Sequence, residues 1–289
     1  MSQAEDIKYI KAHALELQNS HQERNRIFEK MEDIYWMRWE EEAVVTRQVQ
    51  NIKVTKSPRG RNAIHGILRL LCASDPTWSV PGELNTPDAQ AKSEKIEKFA
   101  KAMWWAAGTI YGQPLHYEVI RQAALFAEIN IALQSTKDLV TFSKGGPGEK
   151  RAVEIAERTP FLFVPTNPAL GYPEWDTLGL TSFYSRRQVT RRLIRETFGK
   201  LGEKALRGDV HQDEHSVYGR VWLNDFYTLD CRYVWLDESD VPILESEHGL
   251  PFIPIVATTV EGSRLFDKPE EQREPVIIAA PWAISVTHL

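Results

Sequence analysis

The residues with most chemical potential in this chain are arginines. Arg186, Arg187, Arg191, Arg192 and Arg195, followed by Lys200, Lys204 and Arg207, are opposed only by Glu196 and Glu203 across positions 186–207. A cation run of this density can track the phosphates of a nucleic acid, meet an acidic surface on a neighbouring copy, or form an ordinary charged solvent face. For the second role the candidate counterpart is the acidic cluster Glu32, Asp33, Glu40, Glu41 and Glu42.

Other reactive types are less organised. His211 and His215 stand at i, i+4 among Asp209, Asp213 and Glu214, a spacing that suits a metal on a helix. They fall between a turn-like Arg207-Gly208 and a strand, with no third fixed ligand implied, so a solvated polar loop is expected and no metal site. Gly145-Gly146-Pro147-Gly148 lacks the Gly-Lys-Ser/Thr ending of a phosphate-binding loop, and neither Gly-x-Gly-x-x-Gly nor Gly-x-Ser-x-Gly occurs. Asp237 and Glu238 read as a turn of exposed charges, and His65, His116 and His248 as core or surface fillers. No catalytic constellation emerges. The expectation is a structural or interaction protein, not an enzyme, with no catalytic, cofactor-binding or metal-ligating residues and no cofactor.

Bulk composition is consistent with that reading. The 289 residues are 42% hydrophobic, with nine Trp, nine Tyr and eleven Phe, enough for an aromatic-rich core in one large domain or two ordinary ones. A formal net charge of -5 argues against a surface that grips nucleic acid all over, while leaving room for a local basic patch. Two cysteines, Cys72 and Cys231, make neither a disulfide framework nor a zinc cluster, so a reducing compartment is the default. No signal peptide is visible, and the longest apolar runs fall short of the ~20 residues that span a bilayer. No membrane association is expected.

The elements that must position the arginines follow from periodicity. Residues 4–42 read as one long amphipathic helix or two end to end, from the spacing of Ile7, Ile10, Ala14 and Leu17 and of Ile27, Met31, Ile34 and Tyr35. Val44–Val54 reads as extended, Arg59–Ala73 as helical, and Trp78–Val80 as the start of a short strand. Thr86-Pro87 is a helix start by its capping hydroxyl and first-turn proline; that helix is predicted to reach Tyr111 and bury Ile96, Phe99, Ala100, Met103 and Ile110. Another helix covers Leu115–Ala127. Ile129, Ile131 and Leu133 then alternate with polar or small residues as a half-buried strand. A charged helix spans Glu149–Arg158, Pro160–Tyr184 reads as an ordered proline-rich loop, and a basic helix covers Arg186–Phe198. Val217–Thr259 reads as an antiparallel meander. Helices first and strands later predict an α+β fold, with long N-terminal helices packed on an antiparallel β meander.

The end of the chain is unusual. Pro275–Leu289 holds no Asp, Glu, Lys or Arg, although 26% of the chain is charged. An exposed apolar run recruits other chains, so this segment is expected to pack into the body, to dock on a partner, or to mark a cut.

Several stretches, taken in order, resemble the N-terminal half of tailed-bacteriophage portal proteins. They are Met31-Glu32-Asp33-Ile34-Tyr35; Arg61-Asn62-Ala63-Ile64-His65-Gly66-Ile67-Leu68; the passage His116–Leu133; Pro160-Phe161-Leu162 with Asn167-Pro168; Tyr172-Pro173-Glu174-Trp175-Asp176; and the meander closing in His248-Gly249-Leu250-Pro251-Phe252-Ile253-Pro254-Ile255-Val256 and Glu261-Gly262-Ser263. The resemblance implies a portal wing-like α+β region over 1–268, its leading helical segment at 1–42. It also implies a homo-oligomeric ring, typically a dodecamer, at the capsid vertex of a virion made in the host cytoplasm. The ring would serve DNA packaging and genome ejection. Implied partners are a packaging terminase, scaffold or capsid and head-completion proteins, and double-stranded DNA in the channel. Residues 269–289 stand where the family continues into stem, clip and crown, so the chain reads as truncated there. The rival expectation is a nucleic-acid-binding or -processing accessory protein that uses the Arg-rich helix 186–198.

Overall fold

The computed structural model describes residues 3–38, 58–74, 76–77, 79–80, 86–112, 114–177, 179–207, 219–237, 239 and 241–259. Val44–Val54, Trp78, Glu40, Glu41, Glu42, the His211/His215 loop and the apolar run 275–289 lie outside them.

The leading helical segment is two helices, α1 (Gln3–Ser20) and α2 (Gln22–Trp36). They part at Ser20-His21, where the Ser20 hydroxyl donates to the Leu17 carbonyl at 2.8 Å and the buried His21 ring reaches the same oxygen at 2.9 Å. Side chains that bond back to the previous turn compete with helix continuation. Helix α3 (Arg59–Leu71) follows, then α4 (Pro87–Tyr111), begun by the Thr86 hydroxyl accepting from the Ala89 amide and ended by Gly112 at φ 71°. Helix α5 (Leu115–Phe126) leads into strand β1 (Glu128–Ser135). Two short helices, α6 (Thr136–Ser143) and α7 (Glu149–Arg158), precede β2 (Phe161–Pro165) and a 3-10 turn at Pro168–Leu170. Strands β3 (Gly171–Trp175) and β4 (Leu180–Thr190), helix α8 (Arg191–Arg207), and strands β5 (Arg220–Tyr227), β6 (Cys231–Leu236), β7 (Leu244–Glu247) and β8 (Ile255–Thr259) complete the described order.

The fold is α+β, with two antiparallel sheets ordered β2-β1-β8 and β3-β4-β5-β6-β7. Alternate residues of a strand face opposite sides. On one face of the larger sheet Tyr172, Tyr184, Phe226 and Trp235 receive Ile7, Ile10, Ala14 and Leu17 of α1. On its other face Val189, Leu223, Val234 and Leu236 meet Ile194, Phe198, Ala205 and Leu206 of α8. A third cluster joins Phe28, Met31 and Tyr35 of α2 to Ile64 and Leu68 of α3 and Leu125 and Phe126 of α5. Phe183 and Tyr227 of the larger sheet pack on Ile253, Ile255 and Ala257, which brings the two sheets together.

Five expectations need correction. The Pro160–Tyr184 stretch is not a loop: it forms β2, β3 and the start of β4. Its prolines fit because β2 and β3 are edge strands, where a missing N–H leaves no ladder partner wanting. The basic helix does not begin at Arg186; positions 186–190 belong to β4, paired with β5 from Arg186↔Asn224 to Thr190↔Arg220, and the helix starts at Arg191. The meander does not end in β8, which crosses to the smaller sheet and pairs Glu128↔Thr259 through Ala132↔Ile255. Ile96 and Phe99 are 44% and 51% exposed, and the buried apolar positions of α4 are instead Met103 and Ala107, in its C-terminal half. In β1 the deepest positions are Glu128 and Asn130 rather than the isoleucines: the carboxylate is held by Arg24, and the backbone N–H of Asn130 donates to Gln122 Oε1 at 3.0 Å.

The loop at Gly145–Gly148 is a packing device. A Cβ at Gly148 would lie 2.1 Å from the Glu196 carbonyl oxygen, and one at Gly199, where α8 kinks at φ 50°, would lie 2.7 Å from that of Lys144. Gly148→Ala is therefore expected to cost about 1–3 kcal/mol in chemical denaturation. Gly66→Ala, on an exposed helix position with nothing within 4 Å, should instead be neutral or stabilising by up to ~1 kcal/mol. Equal unfolding midpoints for the two variants would contradict this packing.

Candidate functional site

The β4–α8 corner is built by Thr190. Its hydroxyl accepts from the Leu193 amide at 3.2 Å and so starts the helix that the strand runs into. Three separate settings for the arginines follow from this geometry. Arg186 and Arg187 are neighbours on a strand and face opposite sides of the sheet. Arg191 and Arg195 stand one helical turn apart on α8, both half-buried. Arg192 is exposed and donates to Glu196 at 2.6 Å, a surface i, i+4 pair of the kind worth about 0.3–0.5 kcal/mol.

Arg186 is committed within the chain. It donates to Asp237 Oδ2 at 2.8 Å and to Gln18 Oε1 of α1 at 3.4 Å, and its guanidinium lies 4.2 Å from the Trp222 ring centroid. Asp237 also accepts from Asn224 Nδ2 at 2.6 Å, and Asn224 Oδ1 accepts from the Tyr184 hydroxyl at 2.6 Å. The Tyr184 ring stacks between Tyr172 and Trp235, at centroid distances of 5.3 and 6.0 Å. The result is a polar thread through an aromatic wall, ending on α1. Asp237 is an exposed turn residue, as read from the sequence, and it is engaged there by Arg186 and Asn224. Arg187 is exposed on the other face of the strand.

The acidic cluster is partly spent as well. Glu32 accepts from Asn167 Nδ2 at 2.9 Å and pairs with Arg38 at 3.4 Å, and Asp33 pairs with Arg38 at 3.4 Å. The described contacts of both sets thus run to other partners within the chain rather than to each other. His65 lies against Tyr35, their rings 5.9 Å apart, and His248 Nε2 bonds to the Thr228 carbonyl at 3.1 Å.

Two features had no strong sequence signal. One is a second buried ion pair, Arg232 with Asp225 at 2.7 Å, on the α8 face of the sheet. Burial alone would lower the Arg232 guanidinium pKa, but the Asp225 carboxylate overrides it and holds the group above its ordinary value. The alternation Arg220–Tyr227, which places Asp225 between buried neighbours, is the only trace of this pair. The other is a cavity of about 360 Å3 beside the C-terminal part of α4, lined by Trp104, Trp105, Pro76, Pro114 and Leu115, with Lys101 and His116 also contributing. Its walls come from segments separated in sequence, so no local pattern announces it. Among the described residues no cluster of three His, Cys, Asp or Glu is placed to hold a metal ion, and no helix is long and apolar enough to cross a membrane.

In comparisons with known proteins the chain matches no family model and no curated protein.

Burial pushes the Tyr184 and Tyr227 phenols well above the ordinary tyrosine value, with Arg186 and Arg232 respectively pulling them partly back. A raised folded-state pKa leaves stability intact below the unfolded value of about 10 and removes it as pH rises toward the folded value. Denaturation midpoints should therefore fall progressively above about pH 10, with Tyr227→Phe blunting the decline. A midpoint independent of pH in that range would contradict the burial of these phenols.

Proposed function

We propose that this chain is a structural, portal-like protein whose α+β body packs copy against copy in a ring at a capsid vertex. The observation that carries the reading beyond the sequence resemblance is an uncovered apolar surface on the helical side. Ile96, Phe99, Met103 and Ala107 of α4 follow a 3-4-4 helical spacing, yet only the last two are buried. Leu70 and Leu71, at the end of α3, are 79% and 57% exposed. Large apolar side chains left in water favour association, and a closed ring would cover them on every subunit. The exposed cations of the β4–α8 corner add a second, electrostatic contact, directed at an acidic surface of the neighbour.

In this role the chain contributes shape and contacts around DNA passing through the vertex during packaging and ejection. The energy for translocation would come from a separate packaging motor. A terminase, scaffold or capsid subunits and head-completion proteins are the corresponding partners. The same corner, through Arg187 and Arg192, also supports the rival role of a nucleic-acid-binding accessory protein.

The two roles separate cleanly in solution. Mass photometry and negative-stain imaging of the full chain should show closed multimers, and Phe99→Glu should shift the population toward monomer. Charge reversal at Arg191 and Arg192 should weaken self-association. A chain that stays monomeric at all concentrations, while binding double-stranded DNA with a steep salt dependence lost on charge reversal, would overturn the portal-like reading in favour of the accessory role.

A further inference from the structure

The Trp104–Trp105 cavity is open, apolar and unclaimed by the roles above. Its volume of about 360 Å3 lies within the ~300–1,000 Å3 typical of ligand sites, and Trp105 stands 58% exposed at its edge. The helix that forms its floor carries no charged residue between Ala102 and Ile110. Lys101 and Lys98, one and two turns before Trp105, put cations on the same side of α4.

We infer that the occupant is the chain's own uncharged run, Pro275–Leu289, with Trp282 and the Ile277-Ile278 pair supplying the surface that enters. Three observations favour this segment. It has no Asp, Glu, Lys or Arg to desolvate, which matches walls that offer few polar partners. The preceding stretch 267–274 is acidic, with Asp267, Glu270, Glu271 and Glu274 against Lys268 and Arg273; that imbalance complements Lys98 and Lys101 on the approach. Reach is the third. Strand β8 ends at Thr259, paired with Glu128 just past the end of α5, and the opposite end of the same helix, Leu115, is a cavity wall. Twelve helical residues cover about 18 Å, whereas residues 260–274 can extend about 50 Å. The contact explains how an apolar segment following a very polar one is kept from recruiting other proteins. It is independent of the ring assembly proposed above.

Hydrogen exchange of the full chain tests the contact, with Trp105→Glu opening the cavity and Trp282→Ser removing the anchor from the segment. In the unaltered chain, amides of 275–289 should exchange at least about tenfold more slowly than an unstructured peptide. Each substitution should return them to the unstructured rate while the amides of β4–β6 stay protected, which shows that the body remains folded. Fast exchange of 275–289 in the unaltered chain would overturn the inference, and so would protection that survives Trp105→Glu. Protection that grows with protein concentration would overturn it in favour of a segment donated by a second copy.

Discussion

The Arg24 guanidinium is the junction on which the arrangement of layers depends. From α2 it pairs with Glu128 of β1 at 3.2 Å and donates to the Gly171 carbonyl of β3 at 2.5 Å, so one side chain holds an element of each sheet. The Phe28 and Tyr172 rings lie 5.3 and 5.8 Å from it, and the Arg24 and Glu128 side chains are only 13% and 8% exposed. Such a pair adds little net stability over an apolar substitute, but losing one partner is costly, because a charge remains in a site that no longer answers it. The sheets approach closely at the same point. A Cβ on Gly171 would lie 2.9 Å from Asn130 Nδ2 and 3.0 Å from Phe183 Cζ. The break at His21 also makes sense here: it lets α1 lie on the larger sheet while α2 turns toward β1, with Arg24 in its first turn.

From this frame the candidate interface inherits its limits. The sheet's α1 face is closed by the Tyr184–Asn224–Asp237–Arg186 thread, so Arg186 serves the fold rather than a partner. What the frame leaves outward includes Arg187 and Arg192, the α8 cations Lys200, Lys204 and Arg207, and the Ile96 and Phe99 side chains of α4. The cation cluster that looks continuous in sequence is therefore divided by the pleat of β4 and by the turn at Thr190. Its spatial charge density is lower than its linear density, which favours a protein contact assisted by apolar surface over a purely electrostatic grip on phosphates.

Much of this fold was legible in the sequence. The α4 start at Thr86-Pro87, the α1 stripe and the period change at β1 each rest on local rules and appear as expected. The failures have a common cause in tertiary context. Prolines at 165 and 173 disguised strands, since only knowledge of the sheet order reveals that these are edges. Periodicity marked Ile96 and Phe99 as apolar on the correct face of α4, but it cannot say how far along a helix its cover extends. Glu128 and Asn130 look like the solvent side of β1 until Arg24, brought from more than a hundred residues away, makes the polar side the buried one. Arg186 was misread for the same reason: its partner Asp237 arrives through β6, and its stacking partner Trp222 through β5.

A double-mutant cycle on Arg24 and Glu128 tests most directly whether this junction holds the layers together. Denaturation of Arg24→Met, Glu128→Met and the double variant should give losses of about 3 kcal/mol for each single change. The double variant should recover part of the loss, leaving a coupling of about 2 kcal/mol. Single losses below about 0.5 kcal/mol that simply add would contradict the account, placing the organising contact of the molecule elsewhere.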